Sequence, residues 1–223
     1  MKLKKPPILK KGTVFDISQT NATADDLPKI FPEKTWDFDI KGEHSLTELQ
    51  VGVNAIANSL KIEIKDMSKS QYGELGVARG AYIKSADGSE EIVLNSRNTI
   101  THNISTAIHE LAHKKFDHLG ELFKTAKDSN PDSYVNRREI QEFQAELVSY
   151  IVCLNYKMDT ADKAIPYIAH WTKNHQLVDL KTMKSVLNDV RVTAQDFIQI
   201  MDGVILSERQ QTLTNTNLCL KVE

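Results

Sequence analysis

His109-Glu110-Leu111-Ala112-His113 is the stretch on which the reading of this chain turns. On a helix, residues four apart lie on one face, one turn from each other. His109 and His113 can therefore aim two imidazoles at a single point. Glu110 lies roughly a third of a turn round the helix, where its carboxylate can reach a water at that point. Two neutral imidazoles with a neighbouring carboxylate are what a hydrolytic zinc site needs: two ligands and a general base. With seven histidines in 223 residues, chance builds the pattern in roughly one such sequence in a hundred.

The flanks support a helix. Ile100, Ile104, Ala107, Ile108 and Leu111 recur at helical spacing on the side away from the two histidines. The spacing predicts an apolar stripe on the core and histidines turned into a cleft. Upstream, Ser45 with Glu48 three residues on is a capping-box signature. Leu46, Leu49, Val53, Ile56, Ala57 and Leu60 continue it as an amphipathic helix. Residues 62–67 and 76–85 read as strands, Asp87-Gly88 as a hairpin turn, and residues 91–95 as a third strand. The expectation is a small, mostly antiparallel sheet leading into the motif helix. Downstream, the pattern breaks near Gly120 and residues 125–136 read as a polar loop or lid. Helices are expected over 137–156, 160–173 and 177–205, with a polar tail fraying from Ser207.

The helix from Arg137 is apolar round most of its circumference, yet Glu142 and Glu146 sit one turn apart on it, with Ser149 and Cys153 continuing the stripe. Like charges at that spacing repel, and burial raises the cost unless something positive meets them. A metal ion and the ring N–H of a ligating histidine are suitable partners. A catalytic zinc needs three protein ligands and an open position. Glu142 or Glu146 is the natural third, with a histidine as the competing choice. His118 would need a sharp bend to reach the ion, and His102 lies nearly two turns from the pair. His170 and His175 suit orienting or transition-state roles, and Tyr150, Tyr167 and His170 are candidates for holding an oxyanion.

Composition narrows the rest. The 28 basic and 30 acidic residues nearly cancel, so nothing global argues for nucleic acid. Lys2, Lys4, Lys5, Lys10 and Lys11 form a local basic arm at the start. Two cysteines, Cys153 and Cys219, make no disulfide framework and are expected as reduced thiols in a cytoplasmic protein. No apolar run approaches transmembrane length, and export and membrane partners are not expected. Residues 1–41 are expected as an extended arm or linker and 42–223 as the functional domain.

Ile108-His109-Glu110-Leu111-Ala112-His113 followed by Glu142-x-x-Ala145-Glu146 resembles the ImmA/IrrE-like zinc metallopeptidases. The resemblance implies that Glu142, opening the E-x-x-A element, is the third zinc ligand, with His109 and His113 as the others and Glu110 as the catalytic base. Glu146 stands where that family usually has Asn or Asp, and can accept the ring N–H of a ligating histidine. The chain also looks like the metallopeptidase half of ArdC-type antirestriction proteins of mobile elements. Val14-Phe15-Asp16-Ile17-Ser18-Gln19-Thr20 resembles the linker before that half, and Tyr167-x-x-x-Trp171 resembles a later segment of it. The single-stranded-DNA-binding domain of ArdC-type proteins is not expected in this chain. The Leu-Met-Pro ending of many ImmA-like peptidases is replaced by Val148 to Asn155. The resemblance implies an α+β, zincin-like (gluzincin) fold, a Zn2+ cofactor and hydrolysis of a protein or peptide substrate. The competing expectation is an antirestriction or single-stranded-DNA-binding module with a structural zinc site.

Overall fold

The computed structural model describes residues 37–67, 78–85, 87–120, 131–171 and 180–219, and leaves aside the side chains of 131–137, 170–171 and 214–219. The basic arm, the Val14–Thr20 segment, residues 125–130 of the expected lid and His175 lie outside the described residues. The fold is α+β. Its helices are α1 (Leu46–Ser59), α2 (Ile100–Lys115), α3 (Pro131–Asn155), α4 (Ala161–Trp171) and α5 (Leu180–Cys219), with a helical turn over 118–120. Its strands are β1 (Glu63–Asp66), β2 (Gly80–Lys84) and β3 (Glu90–Leu94).

Local chemistry sets the element ends. Ser45 and Glu48 form the full capping box, each side chain taking the other's backbone N–H. Thr99 caps α2 by accepting from the His102 N–H. Past the ends of α1, α2 and α3, Lys61, Asp117 and Lys157 adopt positive φ of 54°, 53° and 59°. This left-handed residue turns the chain off the last turn, a place where glycine is usual. Gly88 at φ 86° makes the β2–β3 turn, steadied by Asp87 accepting from Ser89.

The sheet order is β1-β3-β2, with β2 antiparallel and β1 parallel to β3. The sheet is thus mixed rather than mostly antiparallel, because alternation of residues reveals strands but not their direction. Among the described residues β2 is an edge strand. Its face packs against α2, which in turn packs on α3, while α5 closes the core against α1 and α3. Ile104, Ala107, Ile108 and Leu111 are buried, as their spacing predicts, but Ile100 in the first turn is 50 % exposed. Residues before α1 dock on the same core: Phe38 is buried, and its N–H donates to Thr101 Oγ1 of α2 at 2.9 Å.

Two helices differ from expectation. α3 begins at Pro131 rather than Arg137, with proline at the first helical position, where its missing N–H costs nothing. α5 is one helix of 40 residues that continues past Ser207 to Cys219. Arg209 on that continuation donates to Glu48 on α1. No helix among the described residues is long and apolar enough to cross a membrane.

The α1 cap gives a stability prediction. Ser45→Ala is expected to cost about 1 kcal/mol, read as a lower midpoint in urea. Arg209 and then the Ser45 backbone N–H hold the Glu48 carboxyl at about 2, against an ordinary value of 4.5. A depressed carboxyl stabilises the fold above its unfolded value, and that contribution is lost as pH falls through the folded one. The Glu48 contribution should therefore vanish between about pH 4.5 and 2, and a Glu48→Gln variant should show a smaller loss of stability across that window.

Candidate metal centre and active site

The motif occupies the last turns of α2, where Leu111 and Ala112 are anchored in the core and leave the histidines toward a cleft. The cleft is walled by Gly80, Ala81 and Tyr82 of β2 and by Arg138, Gln141 and Glu142 of α3. His109, Glu110 and His113 form its floor, and His118 borders it.

The two Nε2 atoms of His109 and His113 lie 3.1 Å apart. Glu142 Oε2 faces both, at 3.5 Å from the first and 3.6 Å from the second. Ligands about 2.0–2.1 Å from a tetrahedral ion stand about 3.3–3.4 Å from one another. The three donor atoms thus have the spacing of three corners of a metal tetrahedron, and the set fits a divalent ion.

The electrostatics agree. Burial opposes charge on Glu142, but the two imidazoles outweigh it and hold the carboxyl well below the usual range. Burial likewise opposes charge on His109, but Glu142 and Glu146 raise its ring to about 10. A site that draws a proton this strongly between two carboxylates is one that a metal cation can occupy in the proton's place.

Each histidine has a separate neighbour on its outer nitrogen. Glu146 Oε2 lies 3.1 Å from His109 Nδ1, close but off the direction of a formed hydrogen bond. His113 Nδ1 meets His118 Nδ1 at 2.8 Å, and His118 Nε2 faces Gln144 Oε1 at 3.3 Å. Desolvation pushes the His118 ring down to about 3, so it is neutral. If His118 Nε2–H donates to Gln144, its Nδ1 accepts from His113 Nδ1–H, and His113 Nε2 keeps a free lone pair facing Glu142. The bend that seemed to bar His118 from the site is real and is made by Asp117 at φ 53°. It brings His118 to the outer nitrogen of His113, not to the donor set.

Glu110 lies beside the donors and is not among them. Its Oε2 accepts the Tyr82 N–H at 2.9 Å, which leaves Oε1 free of that bond. Tyr82 is itself held through its hydroxyl to Glu90 at 3.0 Å, and Glu90 also pairs with Lys84 and Lys114. Burial works against the Glu90 charge, but Lys114, Lys84 and the Tyr82 hydroxyl together hold it at about 2. Glu90 thus ties the edge strand to the end of the motif helix.

Other candidates fall elsewhere. Neither Tyr150 nor Tyr167 lines the cleft, and Tyr167 is 53 % exposed. The His170 side chain lies outside the described residues. His102 is fully buried against Phe38, edge to face, with its pKa lowered by burial to about 4. Sequence spacing offers His118 only as a competing ligand and does not point to Gln144 or Lys163. Lys163 Nζ on α4 stands 3.5 Å from Glu146 Oε1.

The family model described as the IrrE N-terminal-like domain, a peptidase family, matches residues 57–170, about half of the chain. The chain belongs to this IrrE-like peptidase family. The matched span runs from the end of α1 into α4 and includes His109, Glu110, His113 and Glu142. An uncharacterized protein from Bacillus anthracis is 45 % identical over 203 residues, covering 90 % of this chain and 32 % of that relative. The chain therefore spans about a third of that relative's length. No solved structure matches the IrrE-like chain.

Proposed function

We propose that the chain is a zinc-dependent endopeptidase that takes an extended stretch of a protein substrate along β2. The observation that carries this is the convergence of His109, His113 and Glu142 at tetrahedral spacing beside Glu110, in a cleft bordered by a sheet edge. Family membership supports the reaction class. Two imidazoles and one carboxylate are a donor set suited to zinc.

His109, His113 and Glu142 would hold a zinc ion, which would supply Lewis acidity for the scissile carbonyl and for a water. The rest falls to side chains and backbone. Glu110 Oε1 takes the water proton and hands it to the leaving amine, while Tyr82 N–H fixes the other oxygen so that the base does not swing away. Ladder groups alternate along a strand. Arg79 C=O accepts from Asn95 on the β3 side, whereas Tyr82 N–H points outward to Glu110. The backbone of Gly80 and the Tyr82 C=O therefore face the cleft side, where a peptide can add as a further strand. Selection of an extended segment favours substrates with a locally unfolded or mobile stretch. The likeness to ArdC-type peptidase halves extends the proposal to a regulatory target encountered by a mobile element.

The test is a comparison of protein fragments in cells expressing the wild type and Glu110→Gln. A new fragment is expected with the wild type alone. Identical fragment sets, with both proteins present at equal level and loaded with zinc, would contradict the proposal.

A further inference from the structure

Next to the donor set, α2, α3 and α4 bring together a cluster of buried polar side chains that does not line the cleft. Ser105, Glu146, Ser149 and Cys153 there are each no more than 3 % exposed. Ser149 Oγ donates to the Ser105 carbonyl at 2.8 Å and lies 4.0 Å from Cys153 Sγ. Burial raises the Cys153 thiol to about 12, and it stays neutral. Lys163 of α4 reaches into this cluster, its side chain 13 % exposed. Its ammonium reaches Ser105 Oγ at 3.4 Å and Glu146 Oε1 at 3.5 Å.

A buried ammonium is costly unless paired, and so is a buried carboxylate. Lys163 and Glu146 answer each other's charge. Glu146 then has its two oxygens committed in opposite directions, Oε1 to Lys163 and Oε2 toward His109 Nδ1 at 3.1 Å. That division holds the carboxylate one turn away from the donor set, although Glu142 and Glu146 share a face of α3. It also leaves Oε2 placed to accept the His109 ring N–H and fix its tautomer.

We propose that Lys163 is a positioning residue of the metal centre: by holding Glu146 Oε1 it aims Oε2 at His109, and it makes metal affinity depend on a helix none of whose described side chains lines the cleft. This rests on the zinc site proposed above. Without Lys163, Glu146 Oε1 is left buried with no partner charge beside it. The carboxylate is then free to rotate, and His109 Nδ1 loses the oxygen that faces it.

The test is a zinc competition titration with a chromophoric chelator on the full chain, with thermal unfolding followed in parallel. Lys163→Met is expected to weaken zinc binding by about 10- to 100-fold, the range for loss of an outer partner of a ligand. Lys163→Arg should recover most of the loss, since it restores the charge. Glu146→Gln should weaken binding similarly, and the Lys163→Met/Glu146→Gln double variant should be no weaker than Glu146→Gln alone. Should Lys163→Met lose its cooperative thermal transition, Lys163→Gln, which keeps a hydrogen-bonding head for Ser105, replaces it. Wild-type affinity in the folded Lys163 variant, or losses that multiply in the double variant, would overturn the role of Lys163 and leave the donor set standing. A wild-type chain that binds no zinc would overturn the zinc site and this inference with it.

Discussion

Glu110→Gln is expected to retain zinc and lose turnover by about 10²- to 10⁴-fold, the usual contribution of a general base. The two properties separate because Glu110 is not one of the three converging donors. The substitution is also structurally mild. Gln keeps a carbonyl oxygen that can accept the Tyr82 N–H now held by Glu110 Oε2, so the side chain has reason to stay in place. What it loses is the ability to take a proton. Metal content and turnover on the cellular substrate should be measured on the same preparations. Unchanged turnover would remove Glu110 from the mechanism, and loss of zinc would mean that it ligates the metal.

The second large effect distinguishes the two glutamates of α3. Glu142→Ala should lose most zinc affinity, because two protein ligands are left of three. Glu146→Ala should bind zinc about 10- to 100-fold more weakly, with all three ligands intact. The geometry behind the difference is that Glu142 Oε2 faces both Nε2 atoms, whereas Glu146 Oε2 faces only His109 Nδ1. Glu146→Ala also leaves the largely buried Lys163 ammonium without its carboxylate, so its thermal midpoint should fall as well. The Glu142 side chain is more exposed, 23 % against 3 %, and its removal should cost less stability in the metal-free protein. A competition titration in which Glu146→Ala loses zinc and Glu142→Ala keeps it would reverse the assignment.

How far these residues could be read from the chain depends on whether the relation is local. His109 and His113, and Glu142 and Glu146, are pairs at helical spacing, so one helix places each pair and the sequence displays it. Capping at Ser45 and the Asp87-Gly88 turn are equally local and equally legible. The contact of His118 with His113 is not legible because it needs a left-handed residue at Asp117, and no glycine marks the bend. Lys163 was hidden because nothing in spacing links α4 to a carboxylate on α3; the need to neutralise a buried Glu146 was visible, but not the group that does so. The parallel pairing of β1 with β3 was hidden for a similar reason, since residue alternation carries no direction. The continuation of α5 past Ser207 reads as a polar tail, yet tertiary contact through Arg209 and Glu48 secures its first turns.

Zinc content of protein purified without chelator tests the central claim most directly. The expected result is about one zinc per wild-type chain and close to none in His109→Ala and His113→Ala, each still folded. Full zinc in both variants, or a folded wild type that takes up none when zinc is supplied, would contradict a metal site at the end of α2.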